Sequence, residues 1–456
     1  MPARLIESLA TTGPYAGLFS DESVLQAMLN FEIALVRAEA RLGIVPQSAA
    51  EAIAAAAKAG DFDLARLAHD ILRAGTPGIP LVEMLTAQVR RTDPAAAGWV
   101  HWGATSQDVA DTALVLLLKQ SQPLLDADLE RLEEALLRLS SKHENTVMLG
   151  RTLLQAAPPV TFGLKAAGWL GAVRRGRMSL NASFVEALIL QFGGASGTLA
   201  SLGERGIAVA KALAEELGLE FPDAPWHTQR DRLGKLVCAC GVLTGSLGKM
   251  ARDIALLTQA EVGEAAEPGD NDRGGSSTMP HKRNPIACAL TLAAAQRTPG
   301  LVATFLSTMV QEHERGLGSW HAEWPTVAAV IQSTGLAVVS MAEVGEKLTV
   351  NEARMRANIE ALGGTIFAER AMMLLGQALG RDTAHGVLEE AVRKSIAQQR
   401  HLADVLAEMP AVALHIDAAT LHHLELPEEY LGVAHEFRLR LVSPRKAHGS
   451  GSEHKD

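Results

Sequence analysis

The stretch that decides the fold class runs from Leu236 to Leu257 and reads LVCACGVLTGSLGKMARDIALL. Its apolar residues recur at alternating steps of four and three: Leu236, Cys240, Leu243, Leu247, Met250, Ile254 and Leu257. This spacing is typical of a long helix that packs along a narrow apolar seam. Three small residues lie beside the seam, so a neighbouring backbone can approach closely there: Gly241, Gly245 and Gly248.

Two further stretches carry the same spacing on either side of this one. The first comprises Leu125, Leu129, Leu132, Leu136 and Leu139, and the second comprises Ile331, Thr334, Val338, Met341, Gly345 and Leu348. Long helices with such seams pack at roughly 20° to one another. The scarcity of aromatic residues, 4% of the chain, also favours helices over strands. We therefore predict an all-α fold with a long central bundle at 111–350.

Shorter amphipathic segments flank the predicted bundle. A chain of 456 residues is too long for one ordinary core, so two or three domains are expected. We predict an N-terminal helical domain at 1–110, with a helix at Val24–Leu42 and a break at Gly75–Pro80. A C-terminal helical domain is predicted at 351–445, broken at Gly363, Gly364 and Pro410, and the polar residues 446–456 are predicted to be a disordered tail.

The composition of the chain indicates which binding partners are disfavoured and which cellular compartment is expected. The net charge of −10 disfavours nucleic acid and anionic membranes. We expect a cytoplasmic protein, because no basic start precedes an apolar segment and no run of about 18 apolar residues stands out. Three cysteines form no disulfide framework, and Cys238 and Cys240 are interpreted as structural because no further ligands complete a metal set. No nucleotide-binding glycine fingerprint is present, so no cofactor is expected.

The segment Gly274–Pro285 reads GGSSTMPHKRNP and carries the strongest chemical signal. Its glycines and serines predict a flexible loop, and Pro280 and Pro285 keep that loop out of the neighbouring helices. Such a loop can offer hydroxyl and backbone N–H groups to an anion, with Lys282 adding positive charge. By composition alone, such a loop more often serves as a plain connection between two helices than as part of an active site.

This segment resembles the G-S-S-x-M-P-x-K-x-N signature of the fumarase, aspartase, argininosuccinate lyase and adenylosuccinate lyase superfamily. All seven fixed positions match. Five more stretches resemble segments of the same superfamily: Val100–Asp108 (VHWGATSQD), Gly150–Pro158 (GRTLLQAAP), Trp226–Arg232 (WHTQRDR), Glu312–Arg315 (EHER) and Tyr430–Gly432 (YLG). The resemblance thus covers almost the whole chain. It implies a helical lyase, and a homotetramer whose active sites each draw on three chains.

These segments contain the candidate substrate-binding residues. Thr105 and Ser106 begin a helical run, so their hydroxyls and the free N–H groups of that helix can hold a carboxylate; a plain N-cap is the alternative. Side chains in the other segments are suited to orienting carboxylates, although each is also common in purely structural roles: Gln155, His227, Arg230, Asn284 and Arg315.

Ser276 and Lys282 are the candidate catalytic residues. The resemblance implies that Ser276 transfers a proton at the carbon next to a substrate carboxylate. Serine is a poor base unless nearby cations and dipoles favour its alkoxide, and Lys282 and the N–H groups of the loop are suited to this task. The same donors would stabilise the enediolate formed at that carbon.

Three departures from the superfamily pattern indicate the reaction. Most members carry a Thr-His pair where this chain has Leu153, and a glutamate after the signature loop where it has Ala289. A further histidine is missing at Thr76-Pro77. Because amines and hydroxide need a proton when they depart, whereas a carboxylate with a pKa of about 4 does not, the joint loss favours a carboxylate as the entering or leaving group.

Lactone formation is the reaction in which a carboxylate adds to an activated double bond. Here the chain resembles the superfamily's branch of 3-carboxy-cis,cis-muconate lactonizing enzymes, also through Gly194–Gly197 (GASG) and Trp320–Trp324 (WHAEW). That resemblance implies a tricarboxylate substrate and a role in protocatechuate breakdown. Three alternatives remain: an adenylosuccinate lyase-like enzyme, a lactonizing enzyme for a related, for example sulfonated, muconate, and a relative without catalytic activity.

Overall fold

The computed structural model describes residues 5–268, 279 and 282–443, and these residues are mostly helical. Their α-helices are α1 Gly13–Leu18, α2 Asp21–Arg41, α3 Gln47–Ala56, α4 Leu64–Ala74, α5 Gly78–Thr92, α6 Ser106–Lys142, α7 Phe162–Ala187, α8 Gly206–Leu217, α9 Asp231–Leu257, α10 Ile286–Thr308, α11 Ser319–Lys347, α12 Glu352–Glu360, α13 Ala368–Leu379, α14 Arg381–Gln398, α15 Leu402–Ala407, α16 Pro410–Ala413, α17 Ala418–His423 and α18 Ala434–Val442. The predicted all-α class is confirmed.

The strands of the described residues are short. Strands β1 Val147–Thr152 and β2 Gln155–Thr161 form an antiparallel hairpin, and the two-residue strands β3 Ala265–Ala266 and β4 Thr349–Val350 pair with each other. Short 3-10 helices connect several α-helices: Glu7–Leu9, Ala59–Asp61, Ala96–Trp99, Gly203–Arg205, Thr365–Phe367 and Pro427–Tyr430.

All three predicted seams are buried. The first lies on α6, the second on α9 and the third on α11, with Leu348 just beyond the end of α11. Burial of every position in a repeat of three and four confirms that these long helices pack along narrow stripes.

Small residues let the long helices approach closely in two places on α9. A Cβ atom added at Gly248 would lie 2.5 Å from Cβ of Ala295, and one at Gly241 would lie 2.9 Å from Val302 on α10. Gly245 differs, since an added Cβ there would meet nothing within 4 Å. Two of the three seam glycines are therefore required for helix packing.

The chain divides into two compact units. The first comprises Met1–Glu130, Arg175–Lys249 and Ala289–Ser340, and the second Arg131–Arg174, Met250–Cys288 and Met341–Asp456. In the first unit, α2 packs against α3 and α8. The division into three consecutive domains made from the sequence stays a prediction.

The second unit contains the β1–β2 hairpin and the C-terminal helices. A core of α13, α14, α15 and the following short helices includes Leu375, Leu402 and Leu421. Val147 and Leu149 of the hairpin pack with Ile359 and Phe367 in a separate small cluster. Arg438 of α18 donates to the backbone oxygen of Ser140 at 3.1 Å, which fixes the last helix against α6.

Two described helices, Ile286–Thr308 and Ser319–Lys347, are long and apolar enough to cross a membrane by length and composition alone. The sequence had suggested that no segment was apolar enough to span a membrane, and this finding qualifies that expectation. In Ser319–Lys347 the apolar window is 72% buried, as in the core helix of a globular protein, but in Ile286–Thr308 it is only 28% buried. The helix Ile286–Thr308 therefore presents an apolar surface.

Glu39 of α2 is a buried carboxyl whose two oxygens have no hydrogen-bond partner within the described part of the chain. Burial, together with nearby Glu32, raises the pKa of Glu39 to about 8. The folded protein therefore keeps this proton up to about pH 8, whereas the unfolded chain releases it near pH 4.5. Such a group favours the folded state at low pH, and its contribution is lost as the pH rises between these values.

We expect Glu39→Gln to raise the melting temperature at pH 7.5, because it removes a penalty of about 4 kcal/mol. At pH 5 the gain should nearly vanish. Differential scanning calorimetry at the two pH values measures both results, with exposed Glu22→Gln on the same helix as the control. An equal effect at pH 5 and pH 7.5 would contradict the assignment of the buried proton.

Candidate active site

The candidate site of the first unit is built on the start of α6. Ser106 is the first residue of this helix, as predicted, and Thr105 precedes it. Gly78 at the start of α5 lies so close that an added Cβ would be 2.6 Å from Cα of Ser106. The hydroxyl of Ser106 has no hydrogen-bond partner among the described residues. A half-buried hydroxyl beside first-turn N–H groups is suited to a carboxylate.

Asp108 connects this helix start to two other segments. Its fully buried carboxylate accepts hydrogen bonds from the backbone N–H groups of Thr105, Gly193 and Gly194 at 3.1, 3.0 and 2.9 Å. It also contacts Nε2 of His227 at 2.7 Å. A single carboxylate thus fixes the helix start, the Gly193–Gly194 backbone and the predicted histidine.

Arg315 lies against the same helix start. Its Nη1 donates to Oγ1 of Thr105, and its Nη2 to the backbone oxygen of Ala195, both at 3.0 Å. Its Nε is buried and has no hydrogen-bond partner in the ranges that the structure describes. The structure therefore brings Thr105, Ser106, His227 and Arg315 together, and the Thr105 hydroxyl is already engaged by the arginine.

Arg230 has different partners from those expected, and this corrects its assignment as a substrate-binding residue. It is buried, with two hydrogen bonds to Asp111 at 2.7 and 3.0 Å and two to Glu323 at 2.8 and 2.6 Å. Its guanidinium also lies 4.6 Å from the ring centroid of Trp226. The carboxylates of the protein itself occupy this arginine, so its role is to hold the segment that carries His227.

The ionisation of this buried cluster follows from its composition. Burial alone would raise the pKa of Asp111, but the charge and hydrogen bonds of Arg230 outweigh that effect and leave the pKa below its usual value. Glu323 shares the same arginine, and burial raises its pKa to about 6. Trp320 also donates to Asp111 at 2.9 Å. One cation thus pairs with two acids inside the first unit.

Gln155 belongs to the second unit, in the β1–β2 hairpin. It pairs with Thr152 across a two-residue turn formed by Leu153 and Leu154. Both leucines have positive φ, 50° and 64°, and their exposed fractions are 97% and 76%. Non-glycine residues seldom adopt this conformation, and large apolar side chains are seldom so exposed. The position that carries histidine in most of the superfamily is thus an apolar hairpin tip.

The signature loop lies only partly within the described residues. Ser276 lies outside them, whereas Lys282 has an exposed side chain and Asn284 is half-buried. Glu267, which the sequence did not single out, accepts from the backbone N–H groups of Ala287 and Cys288 at 3.1 and 2.8 Å. Glu267 caps α10. A side chain that precedes the signature loop in sequence is thus bonded to the helix that follows this loop.

An apolar cavity of about 440 Å³ lies in the first unit, beside the Trp320–Trp324 segment. Trp320, Trp324 and Pro77 line it, and His321 closes one side through a contact of 2.8 Å from Nε2 to the backbone oxygen of Gly75. Apolar walls offer few hydrogen bonds to replace the water that a carboxylate loses on binding, so burying a carboxylate there is costly. The start of α6, with Arg315 and His227, is the better anion site.

Family models account for most of the chain. The model described as Lyase matches residues 8–300, and the model described as Adenylosuccinate lyase C-terminus matches residues 364–441. With its long buried helices and signature loop, the chain belongs to this lyase family.

Comparison with individual proteins shows which members of this family the chain resembles. The chain is 46% identical to the 3-carboxy-cis,cis-muconate cycloisomerase of Pseudomonas aeruginosa over 446 residues, which cover 98% of this chain and 97% of the relative. The crystal structure of 3-carboxy-cis,cis-muconate lactonizing enzyme from Pseudomonas putida matches with a TM-score of 0.91 at 45% identity, covering 96% and 98% of the two chains. The nitrosuccinate lyase of Streptomyces davaonensis is 41% identical over 438 residues, covering 94% and 92%. The resemblance to the lactonizing branch is confirmed.

Proposed function

We propose that this protein is a cycloisomerase that converts 3-carboxy-cis,cis-muconate to 4-carboxymuconolactone in protocatechuate breakdown, the β-ketoadipate pathway. The observation that carries this proposal is the 46% identity, over nearly the full length of both chains, to an enzyme named for this substrate. We further propose that the protein acts in the cytoplasm and that Ser276 and Lys282 are its catalytic residues.

The proposed reaction needs one proton and no redox step. A terminal carboxylate oxygen attacks the carbon that bears the 3-carboxy group, and a C–O bond forms there. The electrons of the adjacent double bond move into the other terminal carboxylate, which becomes an enediolate. Ser276 then delivers a proton to the carbon next to it. Fixed cations and N–H groups stabilise the enediolate most where they are arranged before the reaction.

The geometry of the first unit supports a site for several carboxylates. Ser106 and the start of α6 offer neutral donors, and Arg315 and His227 lie around the same helix start. Lys282, Asn284 and Gln155 stay proposed as further residues that handle the substrate. Local positive charge of this kind is required, because the protein has a net charge of −10 and the substrate carries three negative charges.

The hairpin tip supports a reaction whose entering group needs no proton. Leu153 has no titratable group, and its 97% exposed side chain is apolar. An amine leaving group requires an acid, so adenylosuccinate should be a poor substrate. Nitrosuccinate is a second candidate substrate, because nitrite also departs as a stable anion and because a nitrosuccinate lyase is 41% identical to this chain.

Loss of ultraviolet absorbance on mixing the purified protein with 3-carboxy-cis,cis-muconate tests the proposal, because lactonization shortens the conjugated system. The same protein is assayed with a sulfonated muconate, nitrosuccinate and adenylosuccinate. We expect the highest kcat/KM for 3-carboxymuconate, with lactone identified by NMR. A higher kcat/KM for nitrosuccinate, or cleavage of adenylosuccinate without any reaction of the diene, would overturn the proposal.

We also propose that the protein is a homotetramer with shared active sites. Several large apolar side chains on α7, α9 and α10, and one just beyond α10, are strongly exposed in the single chain: Met178, Val185, Val242, Leu306 and Val310. Apolar surface of this extent is typical of a subunit interface. The weak burial of α10 supports the same interpretation.

Light scattering should give about four times the chain mass of 48.3 kDa. The double variant Val185→Asp with Val242→Asp should yield smaller, inactive species, because two charges are placed on the proposed interface. Ile207→Asp, at an exposed aliphatic position on α8, is the control and should stay tetrameric. A fully active monomer would contradict shared active sites.

A further inference from the structure

The contact between Asp108 and His227 defines which imidazole nitrogen faces the ligand site. The Asp108 carboxylate accepts three backbone N–H groups in addition to Nε2 of His227. Three backbone N–H groups donate to this carboxyl group, at least one to each oxygen, and such donors stabilise the carboxylate anion, which can only accept. Nε2 must therefore carry a hydrogen and donate to Asp108.

The other imidazole nitrogen has open space beside it. His227 is only 4% exposed, and Nδ1 has no hydrogen-bond partner among the described residues. Of the atoms that the structure describes, a Cβ added at Gly197 would come within 4 Å of this Nδ1 alone, at 3.9 Å. Gly197 belongs to the loop whose Ala195 oxygen accepts from Arg315. The residue is buried, but its Nδ1 is not among the enclosed atoms that lack a partner, so this nitrogen faces an open position in the loop next to the helix start and the arginine.

An accessible nitrogen on an otherwise buried and fixed imidazole is available to a ligand, whereas the desolvated Nε of Arg315 nearby has no partner among the described residues. With Nε2 donating to an anion, a protonated imidazole presents Nδ1–H as a second, charged donor. A substrate carboxylate is the matching acceptor. This inference rests on the proposed function, since it takes the ligand to be a polycarboxylate.

We propose that Asp108 is a positioning residue that holds His227 with Nε2–H toward the protein and Nδ1 toward the ligand, where the imidazolium donates to one carboxylate of the substrate. Asp108 does not touch the ligand. It acts through His227. Its bonds to the N–H groups of Gly193 and Gly194 also hold the loop that contains Gly197, so that this loop leaves space beside Nδ1.

A double-variant cycle tests this arrangement with tricarballylate, a saturated tricarboxylate that cannot form a lactone. Calorimetry gives Kd for the wild type, Asp108→Asn, His227→Gln and the double variant. We expect each single variant to raise Kd by about 10-fold or more, as for a lost charge-assisted hydrogen bond. The double variant should be no more than about 2-fold weaker than either single variant, because both remove the same contact.

A purely structural role of Asp108 predicts a different result. In that case, Asp108→Asn would weaken binding by the same factor with or without His227, and this outcome overturns the proposal. If Asp108→Asn does not fold, His227→Gln decides alone, since an unchanged Kd overturns the proposal as well. Asp126→Asn is the matched control on α6, where the carboxylate binds Arg177 and Asn181, and it should leave Kd unchanged.

Measuring turnover of 3-carboxymuconate beside binding of tricarballylate shows whether the inference or the proposed function has failed. Wild-type protein that binds tricarballylate but does not convert 3-carboxymuconate would refute the function and leave the His227 contact in place. Wild-type protein that converts the diene, with His227→Gln unchanged in Kd and KM, would refute the inference and leave the function in place.

Discussion

Ser276→Ala is expected to lower kcat on 3-carboxy-cis,cis-muconate by about two orders of magnitude or more, as for the loss of an acid–base group. The reason is chemical: the new C–O bond leaves an enediolate, which becomes product only when its carbon receives a proton. Substrate affinity should change little, because the carboxylates are held by other residues. Stopped-flow absorbance measures the chemical step, and calorimetry with tricarballylate measures affinity.

Ser277→Ala is the matched control for this prediction, since it removes the neighbouring hydroxyl of the same loop. Its rate should stay much closer to that of the wild type. If Ser277→Ala proved the slower variant, the proton-transfer role would belong to the second serine, and a near-normal rate for Ser276→Ala would remove Ser276 from the mechanism.

Arg230→Met is expected to destabilise the fold by about 3–5 kcal/mol, as for the loss of one partner from a buried ion pair. Asp111 and Glu323 would remain inside the first unit without their shared cation. The contact with Trp226 would also be lost. Chemical denaturation measures the change in the free energy of unfolding, and Arg232→Met, two residues further along at a half-buried position, is the control.

The loss in Arg230→Met should depend on pH. Because burial raises the pKa of Glu323 to about 6 in the folded protein, this group favours folding at low pH, and its contribution falls as the pH rises from 4.5 toward 6. Without the arginine, the penalty for ionising Glu323 grows. The destabilisation should therefore be larger at pH 8 than at pH 5. A loss of the same size at both values would show that the pair Arg230–Glu323 contributes little.

The helical fold was predictable because it depends on local periodicity. The seams on α6, α9 and α11 repeat in the sequence with the period of packed helices, and every seam position is buried. The close approach at Gly248 was also indicated by residue size. The hairpin β1–β2 was not predicted, because its turn uses Leu153 and Leu154 where glycine or asparagine is usual.

The composition of the anion site was only partly predictable. Thr105, Ser106, His227 and Arg315 were named as candidates from the sequence, and they lie together in the first unit. Asp108 was overlooked although it stands three residues after Thr105, the spacing of a capping box. Arg230 was assigned to the substrate because a sequence does not show which carboxylates surround a guanidinium.

The sequence by itself determined the helix class, the family and the residue types available for carboxylate chemistry, because these depend on periodicity and on short motifs. Only the tertiary structure decided which charges neutralise one another. Asp111 and Glu323 are 119 and 93 residues away from Arg230 along the chain, yet they bind it within 3 Å. Electrostatic pairing depends on distance in space, so the partner of a buried charge becomes known only when the chain has folded around it.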